Sequence, residues 1–403
     1  MQLSKGIKMK LSVKLITILL SASLLAACNV INVLKLRSAN DDVEPVWHSE
    51  QDTMRLKTAY DGEKAYVYGN VNGVNDFKFM IDTGASFTYL FDTEKVKALN
   101  LPKGDELDLG GWGDDENSLG YRTKMETFRF ADMQVDSPQE LTFDGVIGHD
   151  LLRHFSWTFD KKANQVSISN KAAHVTELAQ AIPFDTFMSK ISINAEIDFD
   201  HDQKVQYDII IDTGSRHYFK LSAAYPESEQ IKLPKAKVTA ADFGLSGKAE
   251  HQRVTLPSLK LGQLKLNKIK TNLIENADED DYWIIGNAAL NQFVTVIDYH
   301  TDTLYLTPYP NHSFSSRYNL MGLEVRKQLS GDFVVRFVMP ELPAKALGIK
   351  VGDILTKVNG TPIKDISKDE WLTLSATPGE YQLCFLNSDC KTLTTKHING
   401  YSN

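Results

Sequence analysis

Three cysteines in 403 residues are too few for a disulfide scaffold or a thiolate metal site, and no Cys-x-x-Cys pair occurs. The ten histidines are scattered; His149 and His154 stand five apart rather than four, with no glutamate between them in the zinc-protease order. No glycine-rich phosphate loop and no Gly-x-Ser-x-Gly elbow is present, so metal, nucleotide and serine-hydrolase chemistry lack a carrier, and no metal or other cofactor is expected. A basic surplus is missing as well. Lys and Arg number 44 against 52 Asp and Glu, a net charge of −8 with no dense cationic stripe, which argues against a nucleic-acid partner. What the chain does have is an ordinary globular composition, 42% hydrophobic and 24% charged residues. Its length exceeds what a single core of about 250 to 300 residues uses, so more than one module is expected.

The longest apolar run near the start, residues 15–27, has 13 residues where a bilayer-spanning helix needs about 20. Behind Lys5, Lys8, Lys10 and Lys14 it has the charged and hydrophobic parts of a secretory signal. It ends in Leu25-Ala26-Ala27-Cys28, which resembles a bacterial lipobox. The resemblance implies a signal peptide over 1–27 and a membrane partner held through lipidated Cys28. Asn29 is not the aspartate of an inner-membrane retention signal, so the expected location is the cell envelope, on the outer membrane facing the periplasm. Residues 28–50 lack sustained periodicity and read as a tether.

Asp-Thr-Gly occurs twice, each time behind an apolar run: at 82–84 within FMIDTGASF and at 212–214 within YDIIIDTGSRHYF. One copy is an ordinary turn signal; two copies 130 residues apart are a repeat. Downstream, Val146-Ile147-Gly148 and Ile284-Ile285-Gly286 mark the same register in each copy. Phe155 and Phe293 follow seven residues after the marker glycine, Asp160 and Asp298 twelve, Val166 and Leu304 eighteen. Strand-like alternation and turn signals make each copy mostly β, and two such lobes are expected to pack about a pseudo-twofold axis. Between each aspartate and its marker lies a glycine-bearing aromatic segment, with Gly111, Trp112 and Gly113 in the first copy and Phe243 and Gly244 in the second. These read as hairpin tips whose glycines allow backbone approach to an extended ligand.

In these motifs the chain resembles the aspartic protease superfamily, in its retropepsin-like branch, over residues 55–310. The resemblance implies a mainly β, bilobal, pseudo-twofold aspartic protease of two retropepsin-like β-barrel lobes, 51–178 and 179–310. Asp82 and Asp212 would meet at the axis as the catalytic pair with a water between them. Thr83 and Thr213 would hydrogen-bond across the lobes, Gly84 and Gly214 would keep the loops narrow, and the Trp112 and Phe243 hairpins would be flaps over a peptide cleft. Ser215 follows the second motif where Ala85 follows the first, so a hydroxyl bond is available to Asp212 alone. His149 has no assigned role. The chemistry is consistent with this assignment. Amide hydrolysis needs a base for water and an acid for the leaving nitrogen, and two close carboxylates share one proton, so one group can serve each purpose.

From about Arg317 the repeat ends. VMPELPAKALGIKVGDILTKVNGTPI, residues 338–363, resembles a bacterial PDZ domain, an expected small α+β module over 317–396. Such domains take a peptide or protein terminus by strand addition, and Gly322 and Leu323 are the candidates for its carboxylate loop. Removal of 317–403 is expected to leave a folded bilobal core. Cys384 and Cys390 flank a five-residue loop and are read either as a cross-strand disulfide or as two free small hydrophobes. The resulting expectation is an aspartic endopeptidase acting on polypeptides of the periplasm or envelope, with the PDZ domain recruiting or gating substrate. The alternative is a non-catalytic peptide-binding envelope adaptor.

Overall fold

The computed structural model describes residues 31–403 save 39, 41–42, 114–117, 126, 131–132, 137–144, 201–202, 245, 276, 282, 329 and 403. The expected signal peptide and Cys28 lie outside the described residues.

Period-two alternation builds the first lobe. In the strand Lys64–Val71, Ala65, Val67 and Val71 are buried, and in Val74–Ile81 so are Phe77, Phe79 and Ile81. The two strands form an antiparallel hairpin, and Val74–Ile81 also runs parallel to Gly145–Ile147 on its other side. The second lobe repeats the plan. Lys190–Asp200 pairs antiparallel with Gln203–Asp212, which runs parallel to Ile284–Gly286. Here the sheet closes on itself, because Lys190–Asp200 also pairs with Gly247–Leu261.

A six-stranded sheet joins the lobes, in the order Gln180–Pro183, Thr303–Pro308, Phe293–Asp298, Ser156–Asp160, Gln165–Ser169, Thr53–Leu56. At its centre Thr158 pairs with Val296. Since Gly148 and Gly286 are 138 residues apart, Val296 is the repeat equivalent of Thr158, so the pseudo-twofold axis passes through this pair. Trp157, Phe159, Ile168 and Ile297 fill one continuous core beneath both lobes.

The C-terminal module has a five-strand path, Leu323–Lys327, Phe333–Val338, Ile354–Val358, Glu380–Phe385 and Lys391–Thr394, plus the helix Lys368–Ala376. That helix starts at a capping box in which the Ser367 hydroxyl accepts from the Glu370 amide and the Glu370 carboxylate accepts from the Ser367 amide. Met321, Phe333, Leu355, Trp371 and Leu383 form its own core, and Cys384 and Cys390 are joined by a disulfide.

Two expectations need correction. The segment read as a tether is not free chain: 31–38 is helical with Leu36 buried, Val43 joins the lobe core, and Pro45–Trp47 pairs with Met133–Asp136. Its apolar positions are too few to register as a period, and while Leu36 and Val43 are buried, Ile31 and Leu34 stay exposed. Nor is the C-terminal module simply removable. Tyr318, Leu320, Phe337, Met339, Leu342 and Tyr401 share a buried cluster with Val238, Ala240 and Ala241 of the second lobe. Deletion of 317–403 would open that face to water and leave Arg253 without its Glu324 partner at 3.1 Å.

Candidate active site

The aspartates end the two apolar strands that the repeat places in the core. Phe77, Phe79 and Ile81 point inward, so Asp82 falls on the opposite face; Ile209 and Ile211 do the same for Asp212. Both then meet at the lobe junction. A β-carbon built on Gly84 would lie 2.8 Å from Asp212 Oδ1 and 2.9 Å from Asp82 Oδ1, so those oxygens are at most 2.8 + 2.9 = 5.7 Å apart. One built on Gly214 would lie 2.3 Å from the Asp82 carboxyl carbon. The glycines are thus required by the opposing carboxylate itself, before any substrate arrives.

Reciprocal bonds hold the pair from beneath. The Thr83 hydroxyl donates to the Ile211 carbonyl at 2.6 Å and accepts from the Thr213 amide at 3.1 Å; the Thr213 hydroxyl donates to the Ile81 carbonyl at 2.9 Å and accepts from the Thr83 amide at 3.0 Å. The Gly84 amide donates to Asp82 at 2.8 Å and the Ser215 amide to Asp212 at 2.9 Å. The expected hydroxyl bond from Ser215 is absent: its Oγ is buried without a partner among the described residues, turned toward Gly286. Burial, then the charge of Asp212, pushes the Asp82 carboxyl up to about 7.

The marker glycines seat these loops. At Gly148 a β-carbon would meet the Phe87 carbonyl at 2.3 Å, and at Gly286 the His217 carbonyl at 2.5 Å. The short helices that follow donate back, His149 N–H to Ala85 at 2.9 Å and Asn287 N–H to Ser215 at 2.7 Å. His149 otherwise packs against Tyr299 and reaches no carboxylate of the pair. Asp150, missed in the sequence, is buried and accepts from the Thr88 amide and hydroxyl at 2.8 and 2.7 Å and from Asn40 at 2.8 Å. It ties the first loop to the segment read as a tether.

The two aromatic hairpins meet each other. The Ser246 amide donates to the Trp112 carbonyl at 3.0 Å and the Gly111 amide to Ser246 Oγ at 3.2 Å. A β-carbon on Gly113 would strike the Ser246 carbonyl at 1.9 Å, and one on Gly244 the Trp112 carbonyl at 2.2 Å. The glycines expected to admit a ligand backbone therefore admit the opposite hairpin. The Trp112 ring is covered by Lys220 Nζ, 3.7 Å from its centroid, and the Phe243 ring by the Arg336 guanidinium of the C-terminal module at 3.6 Å. In this arrangement Phe243 is clamped and is not a free flap.

In the C-terminal module Gly322 has φ +89°, and its N–H and that of Met321 donate to Asn319 Oδ1 at 2.8 and 3.1 Å. Asn319 thus occupies both amides of the loop. Leu323 is buried and paired with Val338. The edge strand Leu323–Lys327 and the helix Lys368–Ala376 face the lobes across a cavity of about 70 Å³, lined by Arg216, Tyr218, Glu324, Val325, Leu372 and Ser375 among others.

Two aspartates facing each other across a β-lobe pseudo-dyad, with glycine behind each, are the arrangement that the aspartic-protease resemblance implies. Residues 67–152 match the family model of an aspartyl protease and residues 314–384 that of a PDZ domain. Among solved structures, the crystal structure of the aspartic proteinase from Irpex lacteus is similar over 64% of this chain and 98% of that one, at 16% identity and a TM-score of 0.42. No curated protein matches.

Proposed function

We propose that the chain is an aspartic endopeptidase in which Asp82 and Asp212, sharing one proton, activate water against a peptide carbonyl. The observation that carries this is the facing pair, with both carboxylates within 2.9 Å of the Gly84 β-position. One carboxylate takes a proton from the attacking water while the other, protonated, gives its proton to the carbonyl oxygen; the first then passes its proton to the leaving nitrogen as the second takes one back from the gem-diol, which restores the shared proton. Incubation of the protein with a diverse peptide library, with cut sites read by mass spectrometry, tests it; an adaptor binds peptides and cuts none.

The PDZ module is proposed to gate rather than only recruit. Its groove faces the lobes, its loop amides are taken by Asn319, and about 70 Å³ is room for a few waters but not for an extended peptide. A second peptide with a free C-terminus is therefore expected to raise the rate at which a reporter peptide is cut. A purely competitive fall in rate counts against gating.

Attachment to the envelope through Cys28, facing the periplasm and its polypeptides, is part of the same proposal and rests on Leu25-Ala26-Ala27-Cys28. Cys28→Ser is expected to give an uncleaved or soluble form. Maturation and membrane fractionation like the parent's would falsify the anchor.

A further inference from the structure

The hairpin register carries one lysine from each lobe toward the aspartate pair, where both lysines feel Asp82 and Asp212. In the first lobe Tyr66 pairs with Met80, so continuing the antiparallel register sets Lys64 opposite Asp82. In the second, Ser192 pairs with Ile210, which sets Lys190 opposite Asp212. Faces agree. Ala65 and Val67 point into the first core and Ile191 and Ile193 into the second, so both lysines stand on the side of the sheet that carries the aspartates. The ladders end two residues short of each lysine, at Tyr66–Met80 and Ser192–Ile210, and both lysines feel the charges of the pair from there.

A tight turn fixes the first of them. Gly62 and Glu63 have φ +57° and +78°, and Glu63, buried, is held by Lys161 at 2.8 Å, by Asn291 at 2.8 Å and by Arg317. The strained residue is tied down by three partners, and Lys64 leaves the turn directly toward the pair.

Neither lysine has a hydrogen-bond or salt-bridge partner among the described residues; the charge each feels most is Asp82, with Asp212 also acting on both and Arg216 opposing it at Lys64. Burial nevertheless lowers both ammonium groups from their ordinary range. A pair sharing one proton carries a single negative charge, so two ammonium groups exceed it by one. Lys220, over Trp112, adds a third cation to the same region. The chain as a whole is acidic, at −8, so this is a cationic floor in an anionic molecule.

We infer that the cleft selects acidic polypeptide segments, with Lys64 and Lys190 as specificity-determining residues that receive Glu or Asp side chains on either side of the cut bond. The inference rests on the proteolytic reading above. Pseudo-symmetry is what assigns one lysine to each side, since the substrate strand must run across both lobes.

The test uses the full chain and three peptides identical except for Glu, Gln or Lys on both flanks of a cut site. The Glu peptide is expected to be cleaved with at least tenfold higher kcat/KM than the Lys peptide, the difference lying in KM and shrinking as NaCl rises from about 0.05 to 0.5 M. Lys64→Met with Lys190→Met is expected to abolish the preference, and Lys64→Arg with Lys190→Arg to keep it. Equal cleavage of all three peptides by the parent overturns the inference while proteolysis stands. No cleavage of any peptide removes the reading beneath it. If the lysines serve only to tune the pair, the Met variants shift the pH optimum equally for all three peptides and leave the preference intact, which also overturns the inference. Should the Met pair fail to fold, the salt dependence and the Arg variants decide.

Discussion

Asp82→Asn is expected to reduce kcat by at least 10³-fold while leaving the fold intact, and Asp212→Asn to do the same. Removal of one member of a unit that exchanges protons with a single water removes most of what both supply, so the double variant should be little worse than either. The parent should show a bell-shaped pH profile, because the pair works only while it holds one proton. Burial and the neighbouring Asp212 charge push Asp82 up to about 7, so activity should fall on the alkaline side near neutrality, and on the acid side once the second carboxyl is also protonated. An Asp82→Asn protein that cuts as fast as its parent would sink the mechanism.

The same group has a stability consequence of opposite sign. A carboxyl raised in the folded state binds its proton more tightly than in the unfolded chain. The stability it contributes is fully present below about pH 4 and is lost as pH rises to about 7. Asparagine cannot ionise and escapes that loss. Asp82→Asn should therefore melt at a higher temperature than the parent at pH 8 and show little gain at pH 4, in thermal denaturation followed at both values. Loss of activity together with gain of stability is the mark of a strained catalytic pair, and a variant destabilised at pH 8 contradicts the close approach of the carboxylates.

Much of this site was legible because it is built from sequence-local rules applied twice. Apolar alternation ending in Asp-Thr-Gly set the strands and the repeat offset located both markers, while the pairing of Thr158 with Val296 across the lobes came from the structure. What stayed hidden depends on contacts between segments far apart in the chain. Nothing local to Gly113 or Gly244 tells that each lies against the other hairpin, and Ser215 sits in the right place for a bond that its rotamer does not make. Asn319 looks like any loop residue until its oxygen is found on the Gly322 amide. The helix over 31–38 is too short to carry a period and is fixed by tertiary contacts, such as that of the buried Leu36.

Asp242 was hidden for the same reason, and its loss should produce the largest change in stability. It lies inside the second hairpin with no exposed surface and accepts from Arg253 at 3.0 Å, from Asn272 at 2.9 Å and from His217 at 2.9 Å. Burial opposes its charge, and His217, His251 and Arg253 hold the carboxyl well below the usual carboxylate range; burial in turn lowers both imidazoles, so at neutral pH the standing positive charge is that of Arg253 and the histidines act as hydrogen-bond and dipole partners. Arg253 then reaches Glu324 at 3.1 Å, and Arg216, four residues after Asp212, reaches Glu324 at 3.5 Å. One buried chain of charges therefore links the second aspartate loop, the hairpin and the C-terminal module. Asp242→Asn leaves Arg253 buried with half its counter-charge, at a cost of about 3 kcal/mol by analogy with broken buried pairs, and Asp242→Leu somewhat more. The carboxyl is depressed in the folded state, so its contribution is present above the ordinary carboxylate pKa and is lost as pH falls through the lower folded value. Parent and variant should thus differ most at neutral pH, and the gap should narrow only in strong acid. Because the His217 carbonyl packs against Gly286 beside the pair, kcat should fall more than KM rises. Combining Asp242→Leu with Arg253→Met should cost less than the sum of the two single changes, since the second removes the charge that the first left unpaired. An Asp242→Asn protein with an unchanged melting temperature at pH 7 would mean that the network contributes no stability.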